Sequence, residues 1–396
     1  KAKIAKAKEL GMHPTAYGAV YAASKPFFEK HPTWAFYNSC QEPFVFIDVF
    51  YIMNIAEGSP WRKHLFEEYQ NAISMMGFSG IHMDTYGFPK TAYSHLDAIP
   101  KKIKLENELP TLIDETRENV HGEEEPYLIF NNVGAWPVQR TADRKQDAVY
   151  IEVWPPYDRY ASIAQLIRDA RTYAKDDKSI ILAAYLKPFR EGKREKALPA
   201  AKLLMGSIVS NGATHLLTGE NQTALTQGYY SDYTKFSDSE AEAIRRYYDY
   251  MIRYENLFFD PELQDVTMTH TGWDNYEYQC TSHKVSSYGE AGKIWMILRE
   301  KDYRKCIYLL NLCGQSEDYW NEGKEEPNIQ KDIKFTVQVD TPVEKICFST
   351  PDGENMDAIE LSFTERATKT GKFIDFTVPS LNYWTTIWID TRKETI

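Results

Sequence analysis

The chain has 396 residues, of which 43% are hydrophobic and 14% aromatic, and its formal net charge is −11 at pH 7. This acidic balance argues against a nucleic-acid partner, because binding to phosphates depends on a basic surface. No apolar run approaches the roughly 18 residues that a membrane-spanning helix needs, so we expect no membrane insertion.

The first two-thirds of the chain alternates short apolar runs with amphipathic helices, a pattern typical of β/α units around a parallel sheet. An amphipathic helix is predicted at residues 1–10. Strands are predicted at 15–23, 80–87, 127–134, 148–156, 179–188 and 213–221. The main helices between and after them are predicted at 59–77, 109–122, 160–175 and 237–259. We therefore predict an α/β fold of the (β/α)8 (TIM) barrel type.

Two helix starts have clear sequence signals. Ser59 is a plausible N-cap before Pro60, and Gly77 would end that helix. Ser237 and Glu240 have the spacing of a capping box.

The predicted barrel is short of two strands, because six are visible and the first element is a helix. We therefore expect the first two barrel strands to lie upstream of Lys1. Residues 40–58, CQEPFVFIDVFYIMNIAEG, form an apolar and aromatic insertion after the first visible strand. We expect it to be strand-like and to shape the site, as long loops at that end of a barrel do.

From about residue 265 the helical periodicity disappears, and alternating or apolar runs are separated by Gly, Pro, Asp and Asn. This pattern predicts an antiparallel β-sandwich. The predicted domains are a catalytic barrel portion at 1–262 and a C-terminal β-sandwich at 263–396.

Polar side chains at the carboxyl ends of parallel strands are the candidates for a site. The second strand offers His82 and Asp84, and the fourth offers Glu152 and Trp154. The other strands offer Tyr17, Tyr21, Asn131 or Asn132, Tyr185, Lys187 and Glu220.

Asp84 and Glu152 suit glycoside hydrolysis, in which one carboxylate attacks the anomeric carbon and the other protonates the leaving oxygen. Apolar neighbours on its strand should raise the pKa of Glu152, as a general acid needs. Asp84 can accept backbone hydrogen bonds and stay ionised. The alternatives are that Asp84 caps its loop and that Glu152 pairs with an arginine.

Four other candidates have structural alternatives as well. His82 and Trp154 are either core side chains or sugar contacts, and Glu220 is either a helix-entry cap or a substrate ligand. Lys187 is more simply a solvated or paired charge.

Other chemistries lack support in the sequence. The five cysteines show no metal-ligand spacing with histidine. The segment GFSGI resembles a nucleophile elbow, but Ile81 stands where its last glycine belongs. The sequence contains no phosphate-binding loop of the form G-x-x-x-x-G-K-[ST] and no H-E-x-x-H motif, and no G-x-G-x-x-G dinucleotide fingerprint follows a strand.

Two stretches resemble glycoside hydrolase family 66, the dextranases and cycloisomaltooligosaccharide glucanotransferases. GFSGIHMDTYG at 77–87 resembles the family's nucleophile segment, and DAVYIEVWP at 147–155 resembles its acid/base segment. The resemblance implies that Asp84 is the nucleophile and Glu152 the general acid/base. It also implies that Asp84, Glu152 and Glu220 end the fourth, sixth and eighth barrel strands, and that a β-domain precedes Lys1.

By this resemblance we predict a retaining, endo-acting α-1,6-glucan hydrolase of the dextranase type. The family's cyclising transferases resemble the dextranases but carry a carbohydrate module late in the barrel, and residues 189–212 leave no room for one. Dextran and isomaltooligosaccharides are the expected partners, no metal or organic cofactor is needed, and secretion or a cell-surface location is expected. The residues expected to contact the glucan are Tyr17, His82, Asn131, Trp154, Tyr185 and Glu220.

Three alternatives stay open. One is the cyclising glucanotransferase activity of the same family. The second is another retaining α-glycosidase, such as an α-galactosidase or α-glucosidase that prefers short substrates. The third is a non-catalytic glucan-binding protein, which would be indifferent to loss of Asp84 or Glu152.

Overall fold

The computed structural model describes residues 1–175, 178–228, 234–272 and 274–392. The chain divides into two compact units, which interleave in sequence. The first unit comprises Lys1–Trp154 and Asp169–Ile181, and the second comprises Pro155–Arg168 and Leu182–Ile396. The sequence analysis instead divided the chain once, between residues 262 and 263. That domain boundary stays a prediction.

Within the described residues, an α-helix begins within four residues of each of the five predicted helix starts. The α-helices of this part of the chain are α1 Ala2–Glu9, α2 Lys25–Lys30, α3 Pro60–Asn71, α4 Leu105–Asn119, α5 Val138–Thr141, α6 Tyr160–Ala174, α7 Ala197–Ser210, α8 Asp238–Arg253 and α9 Glu255–Phe258. A π-helical turn at Ala72–Met76 extends α3, and 3₁₀ turns occur at Pro32–Trp34, Lys187–Phe189 and Arg194–Lys196.

The strands fall into two groups. The first fourteen are β1 Thr15–Ala19, β2 Ala22–Ser24, β3 Phe36–Tyr37, β4 Val45–Phe46, β5 Phe50–Ile52, β6 Gly80–Asp84, β7 Thr91–Ser94, β8 Lys101–Lys104, β9 Tyr127–Val133, β10 Ala148–Glu152, β11 Ser179–Ala183, β12 Thr214–His215, β13 Thr218–Gly219 and β14 Thr223–Ala224. The later strands are β15 Gln264–Asp265, β16 Tyr278–Cys280, β17 Val285–Ser286, β18 Ile294–Lys301, β19 Arg304–Asn311, β20 Gln330–Val339, β21 Val343–Ser349, β22 Ile359–Leu361, β23 Phe363–Thr368, β24 Gly371–Leu381 and β25 Trp384–Thr391.

The first unit contains a parallel sheet in which β1, β6, β9 and β10 lie side by side in chain order. Each of the six predicted barrel strands begins at its predicted residue or one residue later, and each ends earlier than predicted because the predicted ranges included the following loops. The described strands of this unit form an open sheet with β1 at its edge. Closure into an eight-stranded barrel is not observed there and stays a prediction.

Alternation along β6 separates an apolar face from a polar one. Ile81 and Met83 are buried in the core of this unit, together with Leu65 of α3 and Leu112 of α4. Successive side chains of a strand point to opposite faces, so the residues between them are turned away from these helices. The apolar contacts with α3 and α4 therefore fix which side chains β6 presents on its other face.

The predicted helix signals are confirmed. Ser59 Oγ accepts a hydrogen bond from the Arg62 backbone N–H at 3.2 Å, and Gly77 ends the helical segment with φ at 84°. Ser237 and Glu240 form both bonds of the capping box. A positive φ is the conformation that favours glycine, so Gly77 lets the chain turn directly into β6.

Two small antiparallel sheets extend the first unit, in the orders β2-β5-β4 and β3-β7-β8. The insertion at 40–58 supplies the β4–β5 hairpin, which confirms that it is strand-like. The apolar run at 15–23 is not one strand, however. It divides between β1 and β2, which belong to different sheets.

The later part of the second unit consists of two mainly antiparallel sheets. One runs in the order β15-β18-β19-β25-β21-β22, with β17 beside β18, and the other in the order β16-β20-β24-β23. Met296 and Ile307 from the first sheet share a buried core with Phe335 and Phe376 from the second. The predicted C-terminal antiparallel sheets are thus present. None of the helices in the described part of the chain combines the length and apolar character that a membrane crossing requires.

Candidate active site

The strand register brings five predicted polar side chains to one face of the parallel sheet. Tyr17 pairs with His82, and Asp84 follows His82 by two residues. Val133 pairs with Glu152, and Asn131 precedes Val133 by two residues. Paired residues of parallel strands face the same side, and so do residues two apart. His82 also pairs with Ile129, two residues before Asn131. The face therefore carries Tyr17, His82, Asp84, Asn131 and Glu152.

The side-chain amide of Asn131 connects the two candidate catalytic carboxylates. Its Nδ2 donates hydrogen bonds to Asp84 Oδ1 at 2.7 Å and to Glu152 Oε2 at 2.9 Å. The two oxygens are therefore at most about 5.6 Å apart, the sum of these distances, and the carboxyl groups of retaining glycosidases are roughly 5–5.5 Å apart. Asn131 is only 4% exposed and Glu152 only 9%. This part of the site is thus largely closed to solvent.

The second oxygen of Asp84 has a different donor. The Tyr17 hydroxyl donates a hydrogen bond to Asp84 Oδ2 at 2.5 Å. Tyr17 lies on the edge strand β1 and is 62% exposed. Asp84 is thus held by one buried amide and one solvent-exposed phenol.

His82 packs between two aromatic rings on the same face. Its ring is stacked with Tyr17 at a centroid distance of 6.4 Å and lies edge-on to Tyr150 at 4.8 Å. Burial lowers the pKa of His82, although the charge of Asp84 acts in the opposite direction. The imidazole is therefore neutral near pH 7, and a contact between His82 and sugar stays a prediction.

A close approach beneath β1 requires glycine at position 18. The Tyr69 hydroxyl donates to the Gly18 carbonyl oxygen at 3.2 Å, and a Cβ at position 18 would lie 2.4 Å from Tyr69 Cε1. Burial, together with the charge of Asp84, raises the pKa of the Tyr69 phenol. Tyr69 thus supports β1 directly beside Tyr17 as an uncharged group.

Asn132 has a structural role, which separates the two asparagines that the sequence left as alternatives. It is fully buried on the opposite face of β9. Its Nδ2 donates to the Tyr150 carbonyl oxygen at 2.9 Å, and its Oδ1 accepts from the Thr141 hydroxyl at 2.6 Å. Of the two, Asn131 is therefore the one that faces Asp84 and Glu152.

Trp154 lies just beyond β10 and is 37% exposed. It is therefore not a fully buried core side chain, and its use as a sugar platform stays a prediction.

Three other candidates belong to the second unit. Tyr185 follows the end of β11 and is buried. Glu220 is exposed in the turn between β13 and β14, and α8 begins only at Asp238, so the helix-cap alternative for Glu220 is wrong. Lys187 Nζ lies 2.6 Å from Glu322 Oε1, as the paired-charge alternative expects. Roles for Tyr185 and Glu220 in substrate binding stay predictions.

An aromatic cluster beside the loop that follows Asp84 was not among the predicted site residues. Tyr86 follows Asp84 by two residues and stacks on Phe46 of the β4–β5 hairpin, with ring centroids 4.1 Å apart. Phe88 lies 5.5 Å from the same Phe46 ring. The aromatic composition of the insertion was the available signal, but only the fold shows that it reaches this loop.

Within the described ranges, no group of three His, Cys, Asp or Glu side chains is arranged to hold a metal ion.

Comparison with known proteins gives a family match over nearly the whole chain. The family model described as "Glycosyl hydrolase family 66" matches residues 1–388. Two cycloisomaltooligosaccharide glucanotransferases of Niallia circulans are 28% identical over 193 residues and 26% identical over 191 residues. Each alignment covers 48% of this chain but only 19% of the relative. The matched region is thus about a fifth of those proteins.

Solved structures show the same fold at low identity. A Paenibacillus cycloisomaltooligosaccharide glucanotransferase, complexed with cycloisomaltoheptaose, has a TM-score of 0.87 and 17% identity. The match covers 98% of this chain and 74% of that one. A maltogenic α-amylase, AmyB of Thermotoga neapolitana, has a TM-score of 0.57 and 11% identity, with coverage of 98% and 80%.

Proposed function

The chain belongs to glycosyl hydrolase family 66, and from this premise we propose that it is a retaining, endo-acting glycoside hydrolase that cleaves α-1,6-glucosidic linkages of dextran. The observation that carries the proposal is the Asn131 amide shared by Asp84 and Glu152. It keeps two carboxyl groups within the reach of one glycosidic bond, at a separation that suits retention better than inversion.

In the proposed reaction Asp84 attacks the anomeric carbon while Glu152 protonates the leaving glycosidic oxygen. The product of this step is a covalent glucosyl ester of Asp84. Glu152, now a carboxylate, then takes a proton from water, and the water oxygen displaces Asp84 from the sugar. Two displacements on opposite faces return the original α configuration.

A cyclising glucanotransferase is the second candidate, favoured by the names of the two Niallia circulans relatives. The reaction would share the glucosyl ester but use the far end of the same glucan in place of water. We favour hydrolysis because the region between β11 and β12 contains only two 3₁₀ turns and the 14-residue helix α7. By the family resemblance, a cyclising enzyme would carry a further carbohydrate module there.

Products from dextran distinguish the two activities. Hydrolysis gives linear isomaltooligosaccharides with one new reducing end for each cleavage, whereas cyclisation gives products without a reducing end that are lighter by one water. We expect the number of new reducing ends to equal the number of linkages cleaved. We also expect proton NMR to show the α anomer as the first product formed. Cyclic products as the main fraction would favour the transferase, and a first-formed β anomer would contradict retention.

Chemical rescue tests the two roles separately. With azide, Asp84→Gly should form the β-glucosyl azide and Glu152→Ala the α-glucosyl azide from an activated aryl α-isomaltooside, because azide replaces the nucleophile in one case and water in the other. Asp97→Asn, which changes an exposed carboxylate in the turn between β7 and β8, is the matched control. Dextran binding with no cleavage by the unmutated chain would favour the glucan-binding alternative.

The proposed substrate is a polymer, so we infer that the enzyme acts outside the cell. Dextran-cleaving activity found only in the cell lysate of the source, and not in its medium or on its surface, would contradict this.

A further inference from the structure

The two oxygens of Asp84 have donors that differ in exposure. We infer that Asp84 attacks the sugar through Oδ2, the oxygen held by Tyr17, while Asn131 keeps its hydrogen bond to Oδ1 throughout the reaction. The inference rests on the proposed glycosidase function and assigns positioning roles to two residues that the sequence predicted only as glucan contacts.

Burial decides which oxygen a sugar can reach. Oδ1 faces Nδ2 of Asn131, which is 4% exposed and is also bonded to Glu152. Oδ2 faces the hydroxyl of Tyr17, and Tyr17 as a residue is 62% exposed on an edge strand. A phenol at the open side can move aside when the anomeric carbon approaches, whereas the amide is fixed by two hydrogen bonds. Oδ2 is therefore the accessible nucleophilic atom.

Both donors are uncharged, which suits a nucleophile. A lysine or arginine partner would orient the carboxylate but would also stabilise its negative charge by Coulomb attraction, which a neutral donor does much less. The other titratable groups that face Asp84 are His82, Tyr21, Tyr69 and Glu152. Burial lowers the pKa of His82 and raises those of Tyr21 and Tyr69, so these three side chains are neutral near pH 7.

The assignment gives a balanced first step. A lone pair of Oδ2 forms the bond to the anomeric carbon, and the glycosidic C–O bond breaks with its electrons moving to the leaving oxygen. That oxygen takes the proton of Glu152. Oδ1 becomes the carbonyl oxygen of the ester and still accepts from Asn131. In the second step the Oδ2–carbon bond breaks, and its electrons return to Asp84.

The same amide also orients the general acid. Nδ2 donates to Oε2 of Glu152, and a carbonyl oxygen is a better acceptor than a hydroxyl oxygen, so we assign the acidic proton to Oε1. Asn131 therefore determines which oxygen of each carboxyl group reacts. It is a positioning residue for both chemical steps, whereas Tyr17 positions only the nucleophile.

A trapped intermediate tests the atom assignment directly. The chain would be treated with 5-fluoro-α-glucosyl fluoride, and the crystal structure of the Asp84 ester determined. We expect Nδ2 of Asn131 within hydrogen-bond distance of the ester carbonyl oxygen, and the Tyr17 hydroxyl nearer the linking oxygen. A linking oxygen bonded to Asn131, with the carbonyl oxygen facing Tyr17, would overturn the inference.

Rate–pH profiles of kcat/KM test the positioning roles in solution. Each variant has a matched control: Asn131→Ala is compared with Asn132→Ala, and Tyr17→Phe with Tyr127→Phe. We expect Asn131→Ala to lose about 10²–10³-fold in kcat/KM. It should also shift both the acidic and the basic limb of the pH profile, because the Asn131 amide contacts both carboxyl groups. Tyr17→Phe should lose about tenfold and move only the acidic limb to higher pH, because a donor to the Asp84 anion is gone.

The controls separate positioning from packing. Asn132→Ala should lower thermal stability without shifting either limb, since its bonds are to Thr141 and the backbone. Unshifted limbs in Asn131→Ala would overturn the positioning role. If Asp84→Asn were as active as the unmutated chain, the proposed function itself would fail. An Asp84 ester linked through Oδ1 would refute only the present inference.

Discussion

Asp84 of the candidate active site and two carboxylates of the second unit, Asp390 and Asp260, have different kinds of partners. Asp84 accepts hydrogen bonds from an amide and a phenol in the first unit. In the second unit, Asp390 lies 2.7 Å from Arg304 Nε, and Asp260 pairs with the Lys301 ammonium. Neutral donors fix the position of a carboxylate and leave its charge available, whereas an ion pair uses the charge to hold the fold.

Asp260 shows the electrostatic consequence of an ion pair. Burial alone would raise its pKa, but the hydrogen bonds from Lys301 and from the Glu262 backbone N–H, together with the charges of Lys301 and Arg299, outweigh burial, and the pKa of Asp260 is lowered. Its negative charge is therefore retained over a wider pH range and contributes to stability. A nucleophile held in the same way would lose part of its reactivity, so the neutral partners of Asp84 suit a reacting carboxylate and the ion pair of Asp260 suits a structural one.

The largest effect expected from this difference is on catalysis. Asp84→Asn should lower kcat on dextran by roughly 10⁴-fold or more, because the nucleophile is lost. Its thermal midpoint should stay within a few degrees of the unmutated value, because no cation is left unpaired. Calorimetry and reducing-end assays on the same sample check both parts. A large loss of stability in Asp84→Asn would contradict the distinction drawn between the two groups of carboxylates.

Buried histidines extend the comparison to pH. His215 of the second unit is 1% exposed, donates from Nε2 to the Ala184 carbonyl oxygen at 2.9 Å, and has no hydrogen-bond partner at Nδ1. Burial lowers the pKa of His215 to about 4, although the bond to Ala184 acts in the opposite direction. A proton added at Nδ1 would be buried without an acceptor.

The sign of the stability change follows from linkage. The unfolded His215 has a pKa near 6.5, so between about pH 6.5 and 4 the unfolded state binds more protons. The stabilisation is therefore complete above about pH 6.5 and is lost as the pH falls towards 4, by about 3 kcal/mol in all. Urea unfolding across this range should show a flatter slope for His215→Gln than for the unmutated chain. Equal slopes would contradict the assignment.

The ion pairs of the second unit predict a smaller effect on stability alone. Asp390→Asn should lower the free energy of unfolding by about 2 kcal/mol, less than a fully buried pair would cost, because both side chains retain some exposure. Replacing both residues, as in the Arg304→Leu/Asp390→Leu variant, should recover part of that loss. Chemical denaturation measures the free energy of unfolding of both variants. A double variant less stable than Asp390→Asn would show that the two charges are not the main contribution of this pair to stability.

The sequence predicted the positions of the parallel strands well, because each is a short apolar run entered from a helix, as Gly80–Asp84 shows. It could not decide between Asn131 and Asn132, since that choice depends on which face of β9 meets β6. It also could not pair Tyr17 with Asp84, because 67 residues separate them in the chain and only the β1–β6 register brings them together. Local patterns predict elements, whereas side-chain partners depend on register.

A last substitution, in the strand that carries Tyr17, tests how far the site depends on the packing beneath it. In Gly18→Ala the new methyl group would meet the Tyr69 ring at 2.4 Å, so β1 or the ring must shift. Overpacking of this kind costs about 1–3 kcal/mol. Tyr17, the next residue, would lose its alignment with Asp84, and kcat/KM should fall about tenfold, as in Tyr17→Phe.

A second substitution separates displacement of Tyr17 from general destabilisation. Tyr69→Leu removes the ring that the new methyl group meets, so Gly18→Ala/Tyr69→Leu should regain activity relative to Gly18→Ala even if its stability stays low. Rate and thermal midpoint are measured on all three variants. If activity rose and fell with the thermal midpoint in every variant, the site would depend on the stability of the unit as a whole. If activity recovered in the double variant while the thermal midpoint stayed low, the property that Gly18 protects would be the placement of Tyr17 against Asp84.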